Sequence, residues 1–161
     1  MTTARSRRAL TLLMALACFA ATLTVLPAPA TTVAAPNIYE QRKIEAQAVE
    51  AFKRMLGLWR EEVYFELYDQ GMEASKARIT RENFAQRMVQ LEWLPQGDPN
   101  PRYLTADYRF RTLTYVKVRV LYRNKFNPSQ QFAKDQTFLL LKEGDGWKID
   151  LVDLIRSPYG T

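Results

Sequence analysis

Histidine is absent from all 161 residues. That excludes a Ser-His-Asp triad, a Cys-His dyad and any histidine-ligated metal site. Cysteine occurs once, as Cys18, so the chain cannot form an internal disulfide and must be held by packing. Glycine is scarce, at six residues, and no glycine-rich phosphate loop is present. A carboxylate-only site for a hard cation stays open in principle, but no stretch has calcium-loop spacing, and neither a metal nor a cofactor is expected. No internal repeat is visible.

What is present begins with an address. Arg5, Arg7 and Arg8 precede residues 9–26, eighteen residues without a charge and largely apolar. Ala28-Pro29-Ala30 then puts small residues where a signal peptidase reads. Residues 1–30 read as a cleaved export signal, which makes the protein periplasmic or secreted. An uncleaved membrane anchor is the alternative, because the run is nearly long enough to span a bilayer. Val33-Ala34-Ala35 offers a second cut, though Pro36 would follow it. Ser6-Arg7-Arg8-Ala9-Leu10 fits a twin-arginine signal as well as a plain basic region. Cys18 follows Ala15-Leu16-Ala17, a poor lipobox, which argues against lipidation.

Residues 31–36 read as a disordered leader and residues 37–161 as one domain, long enough for a real core. The signal carries three arginines, so the formal charge falls from +6 to +3, with 20 basic against 17 acidic residues. That excess is too small to argue for nucleic acid.

Asn37 is placed to cap a helix, with Glu40 as its capping-box partner. Val49, Phe52, Leu56, Trp59, Val63 and Leu67 recur at spacings of three and four. They predict one long helix, or two meeting near Gly57, with Gly71 as a left-handed C-terminal cap. Residues 72–79 read as loop or a frayed turn. Thr80 starts a short helix over 81–91 with Phe84, Met88 and Leu91 inward. Three prolines and a glycine make 94–101 a loop.

Residues 103–126 alternate. The even positions Tyr108, Phe110, Val116, Val118, Val120 and Tyr122 are bulky, whereas Arg109, Arg111, Lys117, Arg119, Arg123 and Lys125 are odd. A strand puts the two sets on opposite faces. The run is too long for one ordinary strand, so a bend or break is expected at 111–114. The strongest local signal is a closing hairpin within 136–155, turning at Glu143-Gly144-Asp145-Gly146. Helices first and an antiparallel meander after predict an α+β domain, N-terminal helices on a curved sheet.

The helix ending Tyr64-Phe65-Glu66-Leu67-Tyr68, the start Ile79-Thr80-Arg81-Glu82-Asn83-Phe84, and the strands Phe138-Leu139-Leu140-Leu141 and Trp147-Lys148-Ile149 resemble the nuclear-transport-factor-2-like superfamily. The resemblance covers residues 37–155 and implies a cone of helices against a bent sheet. It also implies a choice among isomerases, cyclases and non-catalytic binding modules, and dimerisation through the outer sheet face. Its enzymes use an acid-base pair inside the cone; no such pair can be matched here, so no catalytic residue is assigned.

Two residue sets are candidates. Trp59, Tyr64, Tyr68, Phe84, Tyr108 and Tyr122 would line a pocket between helix and sheet, or simply fill the core. Arg109, Arg111, Lys117, Arg119, Arg123 and Lys125 would meet anionic lipid, an acidic polymer or an acidic partner, or remain a solvated face. Asp107 beside Tyr108 and Asp69 beside Tyr68 are acid-phenol neighbours. The expected function is a non-catalytic binding or assembly module of the bacterial cell envelope, its partner a small apolar ligand or an envelope protein. A small isomerase or cyclase and an electrostatic adaptor are the alternatives. A homodimer is compatible with each, and membrane attachment is expected only through an uncleaved N-terminus.

Overall fold

The computed structural model describes residues 37–159. The expected export signal at 1–30 and the expected leader at 31–36 lie outside these residues. Helix α1, Ile38–Arg60, starts where Asn37 accepts a hydrogen bond from the Glu40 amide at 2.8 Å. The carboxylate of Glu40 turns to Arg111 at 2.9 Å rather than back to the cap. Ile44, Ala48, Ala51, Phe52, Met55, Leu56 and Trp59 form the buried stripe of α1. The helix breaks at Glu62, not at Gly57. Glu62 takes φ 59°, unusual for a residue with a Cβ, while Gly57 stays helical. Helix α2, Tyr64–Asp69, follows.

Gly71 is not the left-handed cap that the sequence suggests; among the described glycines, only Gly97 and Gly144 have positive φ. Gly71 is needed for space. A Cβ there would stand 2.5 Å from Leu151 Cδ1. A single helical turn, α3, Glu73–Lys76, occupies the stretch read as loop or a frayed turn. Helix α4, Arg81–Gln90, is capped by Thr80, whose hydroxyl accepts from the Asn83 amide at 3.3 Å. Phe84, Met88 and Leu91 point inward as their spacing predicts.

The sheet is antiparallel. Strand β1, Trp93–Pro95, takes in the first two residues of the proline-rich stretch read as loop, Leu94 and Pro95, and pairs with the end of β3. Its proline sits on a short edge, where the missing amide is tolerated. A 3-10 turn spans Pro101–Tyr103. The long alternating run is two strands, β2 (Leu104–Phe110) and β3 (Leu113–Asn124), reversing at Arg111-Thr112. Strand β4 is Gln131–Glu143 and β5 is Gly146–Ile149. The order is β1-β3-β4-β5, with β2 also on β3. The sheet curls strongly and the helices pack against it, an α+β fold.

The turn Gly144-Asp145 closes the hairpin with positive φ at Gly144 alone. The expected strand does not continue to residue 155. The Asp150 carboxylate accepts from the Val152 amide at 2.8 Å and starts helix α5, Leu151–Arg156. A cap so close behind the strand outweighs the alternation, and Leu151 and Leu154 are buried from the helix. The outer edge of β5 is covered by the chain at Gly71: the Met72 amide donates to Ile149 O at 2.9 Å.

Candidate functional site

The pairing of β2 with β3 slips between Tyr108 and Phe110. Tyr108 faces Thr114, but Phe110 faces Leu113, so Arg109 is the extra residue of a β-bulge. The two-residue turn that follows has no positive φ, and the bulge takes up the mismatch in twist. One extra residue reverses the alternation. Phe110, inward by parity, instead faces outward and is 67% exposed. This corrects the sequence assignment of Phe110.

Phe110 therefore joins Leu113 and Tyr115 on the outer face, with Thr137 from β4 beside them. They line an open hollow of about 530 Å³. Asp107, Arg109 and Lys117 form its charged rim. The Asp107 carboxylate accepts from Arg109 at 3.1 Å and from Lys117 at 3.4 Å. Further along, Arg119 donates twice to Asp135, at 2.7 and 2.6 Å, and its guanidinium lies 4.5 Å from the Tyr103 ring centre. These bonds hold the Asp135 carboxyl below the usual carboxylate range. The outer face is thus a ladder of alternating charge beside an apolar hollow.

Not all six candidate cations share that face. Arg109, Lys117, Arg119 and Arg123 do. Arg111 leaves it for Glu40 at the start of α1. Lys125 turns to the helices, donating to Glu62 at 2.9 Å, to the Tyr64 hydroxyl at 3.1 Å and to Val89 O at 3.3 Å.

The aromatic candidates lie against the helices and inner sheet face. Trp59, Phe84 and Tyr122 are fully buried. The Trp59 and Tyr122 rings are 5.9 Å apart, as are those of Tyr68 and Phe84. The Tyr122 hydroxyl donates to Gln136 Oε1 at 2.6 Å, and burial pushes its phenol up to about 12. Tyr108 is half-buried, its amide donating to the Glu45 carboxylate at 3.2 Å. The acid-phenol neighbours do not meet: Asp107 takes Arg109, whereas Asp69 takes Arg81 and the Tyr68 hydroxyl donates to Ile79 O. The pair that does form, Tyr64 donating to Glu62 at 3.0 Å, needed the reversal at Glu62 and the return of Lys125 from 61 residues away. No local sequence signal marks it.

The hydrogen bond from Lys125 is the main reason that the Glu62 carboxyl titrates below its ordinary range. A depressed carboxyl stabilises the fold above its unfolded pKa, about 4.3, and that contribution is lost as pH falls through the folded value. We expect Lys125→Met to flatten the acid side of the stability profile, measured by urea unfolding between about pH 3 and 6. Parallel profiles for the two proteins would show that the pair contributes nothing.

No protein family model matches the chain, and no curated protein matches its sequence. Among the described residues, no group of histidine, cysteine or acidic side chains is placed to hold a metal, and no helix is long and apolar enough to cross a membrane.

Proposed function

We propose that the protein is a non-catalytic binding module of the bacterial cell envelope, built on a nuclear-transport-factor-2-like cone and exported by residues 1–30. The curled antiparallel sheet with helices against it is compatible with that cone. Its partner is an envelope protein that places an apolar side chain in the hollow outside the sheet. The bulge at Arg109 carries this reading, because it turns Phe110 out beside Leu113 and Tyr115. Small-molecule sites enclose most of their ligand. Here the lining residue Phe110 is two-thirds exposed, so a free molecule would stay largely wet, whereas a protein surface would cover it. The charge ladder supplies the polar rim that such contacts have. It also weakens the case for an adaptor working by positive charge alone, since Asp107 and Asp135 offset two of the four cations on that face.

The test is a photo-crosslinking residue at Thr137 in the full chain, expressed in a bacterial envelope. A discrete adduct is expected, and Leu113→Asp should weaken its formation at least about 30-fold, as loss of a central contact does. An adduct of doubled mass would identify a second copy as the occupant. A retained small molecule in native mass spectrometry, with no adduct, would overturn the reading.

A further inference from the structure

The first turn of α1 buries less than its composition suggests. Ile38 is 54% exposed and Tyr39 is 78% exposed. The buried stripe begins only at Ile44. Arg42 stands four residues after Ile38, and Lys43 four after Tyr39, so each apolar side chain has a cation on the adjacent turn. Both cations are exposed, and neither has an ion pair or side-chain hydrogen bond among the described residues. Of the nearby acids, Glu40 holds Arg111, and Glu45 accepts from the neutral Tyr108 amide and keeps its charge, so the two cations outnumber the one acid without a cationic partner. This end of the domain therefore offers unpaired positive charge next to uncovered apolar surface.

The sequence says what lies within reach. Residues 27–36 separate the apolar run 9–26 from Asn37, and they carry no charge. Ten residues extend at most about 36 Å. A membrane role for α1 rests on the uncleaved alternative, in which the run stays in a bilayer: the tether then bounds how far Asn37 can stand from the membrane and keeps α1 at high local concentration there.

We propose that the first turns of α1 dock on an anionic lipid surface, with Ile38 and Tyr39 entering the headgroup boundary and Arg42 and Lys43 pairing with lipid phosphates. Large apolar side chains flanked by Lys and Arg are the pattern of interfacial helices. Each such cation adds roughly fivefold to binding at an anionic surface, so the two together give roughly 25-fold. The proposal does not use the residues lining the outer hollow, so the two readings can fail separately.

The experiment uses the full chain with Cys18→Ser, reconstituted in vesicles of phosphatidylethanolamine and phosphatidylglycerol. A fluorophore is attached at Thr112→Cys, in the turn that carries Arg111, or at Phe126→Cys, just past the opposite end of β3. Lipid-borne quencher is expected to dim the first label and spare the second. Arg42→Gln with Lys43→Gln, and separately Ile38→Ser with Tyr39→Ser, should remove that difference, as should replacing phosphatidylglycerol by phosphatidylcholine. These positions are exposed, so unchanged melting confirms that the variants fold. Equal quenching of the two labels, or quenching indifferent to lipid charge and to both variant pairs, would overturn the proposal. Loss of the Thr137 crosslink without change here would sink only the hollow.

Discussion

Gly71→Ala is expected to destabilise the protein by about 3 kcal/mol, the upper end of the cost of overpacking a core by one methyl group. The backbone at Gly71 is not the obstacle, since its φ is one that alanine accepts. The obstacle is Leu151. A Cβ at position 71 would lie 2.5, 2.6 and 2.8 Å from Leu151 Cδ1, Cγ and Cδ2. Leu151 is fully buried at the start of α5, and a close-packed interior resists its displacement. The clash also strains the bridge by which the chain at Gly71 covers β5. Leu151→Ala alone should cost about 2–5 kcal/mol through the cavity it leaves. In that background, however, the new methyl group enters the cavity. Gly71→Ala should then be close to neutral, a coupling of about 2–3 kcal/mol. Urea unfolding of the four proteins measures the cycle. Simple additivity, or a single-variant loss below about 0.5 kcal/mol, would mean that α5 can slide away from Gly71.

The sequence carried the class of the fold because its longest signals are periodic. The stripe of α1 and the even positions of β3 needed only spacing to be read, and Trp59, Val116, Val118, Val120 and Tyr122 lie where spacing puts them. Short elements escaped where one side-chain bond decides the outcome. Asp150 converts an alternating stretch into α5 by capping it. β1 escaped because its partner, the end of β3, is about 30 residues away and supplies all its pairing. The hollow was hidden for a related reason. Alternation assigns faces only while the register holds, and the bulge at Arg109 shifts it by one just before the turn. Arg111-Thr112 is an unusual turn sequence, with neither glycine nor asparagine, and that was the one available hint that the ladder must adjust. The cation row splits, four members keeping the outer face while Arg111 and Lys125 leave it, and spacing could not show this because the counter-ions Asp135, Asp107, Glu40 and Glu62 come from other segments or from the adjacent strand position.

Trp59→Ala is expected to cost about 3–5 kcal/mol, a large part of the 5–15 kcal/mol that holds a typical domain together. Trp59 is fully buried on the last turn of α1, against Tyr122 of β3, so its side chain joins the helix to the centre of the sheet. Trp59→Phe should behave very differently. The indole N–H has no hydrogen-bond partner among the described residues, and a buried donor left in that state costs about 1–3 kcal/mol. Phenylalanine removes that donor while keeping an aromatic ring against Tyr122, so lost volume and removed penalty offset each other. The net change should stay within about 1.5 kcal/mol, read from denaturant midpoints. The same variant separates the two places where a partner can bind. With the partner outside the sheet, Trp59→Phe leaves the crosslink from Thr137 at its original yield, because the core still positions β3. With a ligand inside the cone, the altered wall at Trp59 changes its affinity while stability barely moves. A loss of binding at preserved stability would therefore transfer the site from the outer hollow to the aromatic interior.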